Sequence, residues 1–335
     1  MTEIVRNKSL RYLNTFGIDV KSSHYAEFRN IEELRKIFEY QEENNLNWYP
    51  LSGGSNTLFT RDYKGIIIHP LCSDITTRTE NEFIYVKADA GTLWDNLVFF
   101  SIEHNLWGIE NLYGIPGYVG SSPIQNIGAY GVEAKDCIYS VDFYDKKKNG
   151  IVTLLANDCN FGYRDSIFKK ELKGKGIIIS VTYRLSIKEN PRLDYGDLKN
   201  EVENKGKITI KNIADSVISI RNSKLPDPNV LGNSGSFFKN PLLNIQEAVK
   251  LKNKYPEVPL YPHGDKVKVA AGWLIEKAGW KGYRKGDCGV HDRQALVLVN
   301  HGNSSGEEIK KLAEEIISDI NTKFNINIET EVNIL

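Results

Sequence analysis

The sequence predicts an α+β fold spread over two or three domains, and three observations predict it. At 335 residues the chain exceeds what one hydrophobic core usually serves. Apolar residues recur at helical spacing in some windows, and in β-branched runs or strict alternation in others. Between these lies Gly108 to Gly131, so dense in glycine that the backbone there approaches either a ligand or another part of the chain.

The first helix is expected from Asn30 to Tyr40. Asn30 can cap it, Glu33 sits at the reciprocal position, and Ile31, Leu34, Ile37 and Phe38 share a face. A glycine turn follows at Ser52-Gly53-Gly54-Ser55-Asn56, then a strand at Ile66-Ile67-Ile68, which makes a small β-α-β beginning. Phe83 to Ala88 reads as a strand, and a helix runs from about Leu93 to His104. Strands resume at Val141–Tyr144 and at Ile177–Leu185, the second apolar enough to be buried on both faces. Lys146-Lys147-Lys148 between them suits a solvated hairpin tip. A possible helix lies between Pro191 and Lys224, and Leu225-Pro226-Asp227-Pro228 suits a hinge. Helices are expected at Ile245–Lys254, capped by Asn244 and Glu247, at about Val269–Ala278, ended by Gly279, and from about Gly306 to Thr322 behind a Ser305/Glu308 capping box. The chain closes in alternation: Ile326, Ile328, Thr330, Val332 and Ile334 on one face, Asn327, Glu329, Glu331 and Asn333 on the other.

Composition excludes several classes of function. Lys+Arg and Asp+Glu are equal at 43 each, so no global field recruits nucleic acid or an anionic membrane. Cys72, Cys137, Cys159 and Cys288 have no metal or redox spacing, and no two histidines pair at His-x-x-x-His, so no metal site is expected. Neither an apolar leader nor a membrane-length apolar run is evident, which gives a cytoplasmic expectation. There is no P-loop and no Gly-x-Gly-x-x-Gly fingerprint. The segment Gly232-Asn233-Ser234-Gly235-Ser236-Phe237-Phe238-Lys239-Asn240-Pro241 carries serines without a Gly-x-Ser-x-Gly elbow, so a serine here suits proton or hydrogen-bond donation better than nucleophilic attack. Taken singly, Arg164 next to Asp165 reads as a turn ion pair, Ser236 as a turn residue satisfying backbone, and Glu331 as a solvated strand residue.

Several segments together resemble one family. They are Asn14-Thr15-Phe16-Gly17-Ile18, Gly53-Gly54-Ser55-Asn56, the Ile115–Gly131 loop, Tyr163-Arg164-Asp165-Ser166-x-Phe168 and Lys224-Leu225-Pro226-Asp227-Pro228. With them go Gly235-Ser236-Phe237-Phe238-Lys239-Asn240-Pro241, Ala271-Gly272-Trp273-Leu274-Ile275 and Glu331-Val332. In this order they resemble the UDP-N-acetylenolpyruvoylglucosamine reductases, the MurB flavoproteins of bacterial peptidoglycan synthesis, in their longer subclass with a tyrosine-bearing loop.

That resemblance implies a two-subdomain FAD-binding fold of the vanillyl-alcohol-oxidase type with a C-terminal α+β substrate-binding domain, at 1–70, 71–222 and 223–335, the last strand returning to the active site. It implies noncovalent FAD, with Gly53, Gly54, Ser55 and Asn56 at the pyrophosphate and Gly117, Ser121, Ser122 and Ile127 along the flavin. Ser52 stands where the family often has a third glycine, and Ser55 replaces the histidine of covalent relatives. The implied reaction is NADPH-dependent reduction of UDP-N-acetylglucosamine enolpyruvate to UDP-N-acetylmuramate, with hydride passing from flavin N5 to the vinyl carbon. Arg164 would hold the carboxylate as enolate charge grows, Ser236 would protonate the enolate carbon, and Glu331 would hydrogen-bond the carboxyl group. Lys224, Asn240 and Gln294 would meet the diphosphate, Tyr195 would close from its loop, and Tyr261 would serve the uridine side. A monomer acting without nucleic acid or membrane insertion is expected. Rival readings are another FAD oxidase acting with oxygen, a serine hydrolase and a non-catalytic nucleotide-binding module.

Overall fold

The computed structural model describes residues 3–335. The chain divides into two units: a first built from Ser22–Gly53 and Lys64–Ser223 with the start of the chain up to Lys8, and a second from Ser9–Lys21, Gly54–Tyr63 and Lys224–Leu335.

In the first unit, a four-stranded sheet has the order Ile4–Ser9, Lys21–Phe28, Tyr63–Pro70, Trp48–Pro50. Helix α1 (Ile31–Glu43) crosses between Phe28 and Trp48, and Trp48–Pro50 lies parallel to the expected strand at Ile66–Ile68; the strands flanking α1, Lys21–Phe28 and Trp48–Pro50, carry no strong sequence signal. Asn30 caps α1 by accepting from the Glu33 N–H, whereas the Glu33 carboxylate reaches back to Arg29 N–H rather than to Asn30. Leu34, Ile37 and Phe38 of α1 pack on Ala26, Phe28, Ile66 and Ile68. Phe38 also stacks on Tyr144 at 5.7 Å, joining this layer to a second sheet.

That second sheet is five-stranded and antiparallel, ordered Gly150–Leu155, Ile138–Asp145, Gly176–Ser186, Phe83–Asp89, Ile75–Glu80. Gly176–Ser186 is central, and its apolar run is buried almost throughout, as its sequence requires. The three lysines 146–148 lie at the hairpin joining two of its strands. Helix α2 (Trp94–Glu103) buries Trp94, Leu97 and Val98 against Val86, Ala88, Val181 and Tyr183. Beyond the sheet, α3 (Leu198–Asn204) and α4 (Ile210–Lys224) share a smaller core built on Leu198, Val202, Ile213 and Val217.

The second unit has one antiparallel sheet, Gly232–Ser236, Val297–Asn300, Cys288–Val290, Arg284–Lys285, and a three-stranded one, Leu242–Leu243, Lys266–Val269, Leu260–His263. Helices α5 (Ile245–Lys254), α6 (Ala271–Lys277) and α7 (Gly306–Phe324) complete it, with both expected capping boxes on α5 and α7 formed. The closing alternation is expressed as burial of Ile326, Ile328 and Val332 but not as one long strand. Only Asn333–Ile334 form a ladder, parallel to Thr57–Leu58, while Thr330 bridges to Phe238. Distant partners supplied by two different segments interrupt what a local pattern draws as continuous.

Asn300 is the staple of this unit. Its amide donates to Phe16 O (2.9 Å), and its carbonyl accepts from Gly302 N (2.9 Å) and Ser304 N (3.1 Å); Asn300, Phe16 and Ser304 are buried. Among the described residues no helix is long and apolar enough to cross a membrane. Asn300→Ala strands one buried carbonyl and two amides, so a denaturant titration should show a loss of about 2–4 kcal/mol. A loss under about 0.5 kcal/mol would refute that role.

Candidate active site

In the first unit the glycine-dense loop lies on the chain entering α2. Trp94 N donates to Gly117 O (3.0 Å), Val119 N to Thr92 O (2.8 Å) and Gly120 N to Ala90 O (3.0 Å). A Cβ on Gly120 would stand 2.6 Å from the Ala90 Cβ, so only glycine permits this approach. Ser121 Oγ turns back to Tyr118 O (2.7 Å). Ser122 is fully buried, its hydroxyl shared between Val119 O (2.8 Å) and the Tyr183 hydroxyl (2.6 Å), so it shapes the loop from behind. Ile127 is also buried.

Asn126 ties this loop to the Arg164 turn. Its amide donates to Glu133 Oε2 and Gly162 O, both at 3.0 Å, and its carbonyl accepts from Lys135 N (2.9 Å). Arg164 sits at φ +54°, a strained conformation for a residue that bears a Cβ. Its guanidinium donates to Gly128 O (2.7 Å) and Asn126 O (3.4 Å), which fixes the plane of the fork. The neighbouring acid, Asp165, takes Lys170 as an ion-pair partner. Close by, the glycine at 114 leaves space for Arg221, which is largely buried with Asp95 and Tyr130 nearby; burial draws its pKa below the ordinary arginine value.

The Ser52–Asn56 turn has Gly54 at φ +61°, where a Cβ would fall 2.1 Å from Leu13 O. Among the described residues the amides of Gly53 and Gly54 have no hydrogen-bond partner, although Gly54 is buried. Asn56 turns its amide to Glu331 O (3.2 Å) and accepts Asn333 N (3.0 Å). Glu331 N in turn donates to Phe237 O (2.8 Å). Three segments far apart in sequence, holding Asn56, Ser236-Phe237 and Glu331, are thereby fastened together within the second unit.

Ser236 owes its orientation to a bulge. Asn233 accepts from Gly235 N (2.9 Å), Gly235 adopts φ +68°, and pairing with Val297–Asn300 slips between Asn233 and Ser236. The Ser236 hydroxyl makes no hydrogen bond among the described residues, so no imidazole or carboxylate stands ready to activate it as a nucleophile. Ser234 Oγ and Thr15 Oγ1 are buried without partners in the same unit.

Asn240 and Gln294 both border the first turn of α6: Asn240 Oδ1 accepts Ala271 N (2.8 Å), and Gln294 Oε1 would stand 3.3 Å from a Cβ on Gly272. Lys224, Tyr195 and Tyr261 are exposed, and no hydrogen bond joins Lys224 or Tyr261 to that pair. Gln294 is held through His291, a residue the sequence reading passed over, whose Nδ1 accepts Gln294 N (3.2 Å). Nε2 therefore carries the proton, facing Asp292. Burial draws the His291 pKa below 6.5; Asp292 opposes this, and Arg293 and His301 add to it. Among the described residues no three His, Cys, Asp or Glu side chains gather as a metal would require.

A family model described as "FAD binding domain" matches residues 22–154, and another described as "UDP-N-acetylenolpyruvoylglucosamine reductase, C-terminal domain" matches 227–335. The fold and these matches define an FAD-binding oxidoreductase. Curated UDP-N-acetylenolpyruvoylglucosamine reductases align over almost the whole chain: that of Flavobacterium johnsoniae at 44% identity, covering 99% of this chain and 100% of its own, and that of Pseudomonas aeruginosa at 41%, covering 99% of each. The chain belongs to the UDP-N-acetylenolpyruvoylglucosamine reductase (MurB) family. The crystal structure of the Thermus caldophilus reductase shares the fold, with a TM-score of 0.68 at 22% identity over 100% of this chain and 98% of its own.

Because the folded-state pKa of His291 is depressed, its contribution to stability is complete above the unfolded value of 6.5 and is lost as pH falls below it. Melting curves should show wild type losing stability faster than His291→Asn between about pH 7.5 and about pH 5.5. Parallel pH profiles would show that His291 does not titrate against the fold.

Proposed function

We propose that this protein reduces UDP-N-acetylglucosamine enolpyruvate to UDP-N-acetylmuramate with NADPH, as a step in peptidoglycan precursor synthesis. The observation that carries the reading is the Ser236 hydroxyl, without a hydrogen bond among the described residues and locked into one backbone network with Glu331 in a chain of this family. The substrate is taken from the names its relatives bear.

FAD fits the donor set. The unpartnered amides of Gly53 and Gly54, beside Ser55 and Asn56, suit a pyrophosphate, as backbone nests do. Gly117, Ser121 and Ile127 would line the flavin, with Ser122 behind them, and the buried, unpartnered Thr92 Oγ1 under the same loop offers one more donor. Ser55 provides no imidazole for a covalent link, so the cofactor would be held noncovalently. When bound, FAD supplies the two-electron transfer between NADPH and the vinyl carbon.

The remaining chemistry belongs to side chains. Arg164, its guanidinium plane fixed by the Gly128 and Asn126 carbonyls, would hold the substrate carboxylate and stabilise the charge that grows there. Ser236 would give its proton to the enolate carbon; a hydroxyl is a weak acid, but an enolate is a strong base. Glu331 would hydrogen-bond the carboxyl group. Asn240 has its amide oxygen committed to Ala271 N, so its NH2 is left to donate to phosphate oxygens, with Gln294 and Lys224. Tyr195 would close over the substrate, and Tyr261 would serve the uridine.

The test is the visible absorbance of purified protein, titrated without oxygen first with NADPH and then with the enolpyruvate substrate. Colour lost and then recovered only with that substrate supports the reading. Colour recovered by oxygen and not by substrate points to an oxidase, and protein that cannot be made yellow with FAD refutes it. Ser236→Ala should bleach with NADPH at close to the wild-type rate yet recover colour about 10²–10⁴-fold more slowly with substrate. Recovery at the normal rate in stopped flow would remove Ser236 from the mechanism.

A further inference from the structure

Gly128–Ala129 and Val132–Glu133 form a hairpin whose two-residue loop is Tyr130-Gly131. Both loop residues have positive φ, +48° and +81°, the pattern of a type I′ turn. Asparagine, aspartate or glycine satisfies the first of these positions cheaply, whereas a tyrosine there is strained. Strain of this kind persists where surrounding contacts fix it, and, apart from Arg221 beside it, the contacts around Tyr130 lead to the segment that carries Tyr195. Its ring meets the Tyr195 ring edge-on, 6.0 Å between centroids, and a Cβ on Gly131 would sit 3.5 Å from the Tyr195 Cβ. Buried Asn111 donates from one amide nitrogen to both Tyr130 O (2.9 Å) and Arg192 O (2.8 Å), clamping the hairpin turn to the base of the Tyr195 segment. Arg192 is itself held by Asp136 at 3.2 Å, and Leu193 is buried in the core that Tyr130 packs against. Gly196 follows at φ +56°, so the chain turns immediately beyond Tyr195.

We propose that Tyr130 is a positioning residue, a fixed post on the hairpin that Arg164 leans on, against which the Tyr195 segment is set to receive the nucleotide-sugar substrate. The proposal rests on the reading of Tyr195 given above. Its distinctive feature is that the residue best suited to the turn is the wrong one for the post. Asparagine at 130 relieves the backbone strain and removes the ring.

The experiment compares wild type, Tyr130→Asn, Tyr130→Phe, Tyr195→Ala and the Tyr130→Asn/Tyr195→Ala double variant in the full-length, FAD-loaded protein. Tyr130→Asn should melt within a few degrees of wild type and bleach with NADPH at the same rate. Its KM for the UDP-sugar substrate should rise about 3- to 10-fold at nearly constant kcat, the factor an edge-on ring pair is worth. Tyr130→Phe should restore wild-type behaviour, and the double variant should be no worse than Tyr195→Ala alone. A second readout needs no substrate: trypsin should cut after Arg192 or Lys199 several-fold faster in native Tyr130→Asn than in wild type. Unchanged KM and unchanged cleavage would overturn the proposal, as would additive effects in the double variant. If wild type fails to turn over the UDP-sugar, the functional reading falls, and the cleavage rates still decide whether Tyr130 holds the segment.

Discussion

The fully buried Asn126 side chain donates both its hydrogens to Glu133 and Gly162 and accepts from Lys135 N. The loop around it has no freedom to take another shape, because each of these bonds, once broken, strands a buried polar group at about 1–3 kcal/mol. The carbonyls of Asn126 and Gly128 are then fixed, and it is on these that the Arg164 guanidinium rests. The cationic fork is thus oriented by backbone oxygens whose positions an amide sets from behind. The same device recurs. Asn14 closes Leu10–Ile18, Asn111 joins Tyr130 to Arg192, Asn233 folds the Gly232–Ser236 strand, and Asn300 fastens Phe16 to the turn before α7. An amide suits this work because it carries no charge to desolvate and can donate and accept at once, as all of these but Asn111 do.

These amides offset conformations that cost energy. Asn126, Tyr130 and Arg164 all lie at positive φ, and each such residue costs of order 1–3 kcal/mol when isolated. They are neighbours in one hydrogen-bonded patch rather than scattered, so the strain sits where loops carry the Arg164 guanidinium and the Tyr130 ring. In the second unit the strain is taken by Gly54 and Gly235, where glycine adopts the same region without steric penalty. The two candidate sets of site residues therefore differ in how they are preorganised: by buried side chains in the first unit, by glycine and a bulge in the second.

Local signals were legible where a single segment decides the outcome. The capping boxes of α5 and α7, the stripe of α7 and the buried run at Ile177–Leu185 follow from neighbouring residues alone, and the structure carries them. The closing segment was only half legible. Its alternation decides which residues are buried, but its partners are Phe237–Lys239 and Thr57–Leu58, and nothing local says where one pairing stops and the other begins. At the site, motif residues could be named from resemblance, whereas Asn111, Tyr130 and His291 could not. A buried asparagine reads like any other polar residue until its two carbonyl partners arrive, and Tyr-Gly between short runs looks like a loop until both φ angles are known.

Ser236 shows why the chemistry of a hydroxyl depends on what is missing around it as much as on what is present. A serine nucleophile needs a base within hydrogen-bond reach to take up its proton as the oxygen attacks. With no hydrogen-bond partner among the described residues, the Ser236 hydroxyl is uncommitted, as the donor role proposed above would require. The bulge fixes the oxygen without engaging it, because Asn233 spends its hydrogen bonds on Gly235 N and the Pro226 and Leu231 carbonyls and leaves the hydroxyl alone. Glu331 is anchored through its backbone to the next residue, Phe237, so the carboxylate and the hydroxyl share one rigid frame. A rigid frame matters more for a weak acid than for a strong one: with little driving force from its own pKa, proton transfer relies on the donor already standing where charge develops.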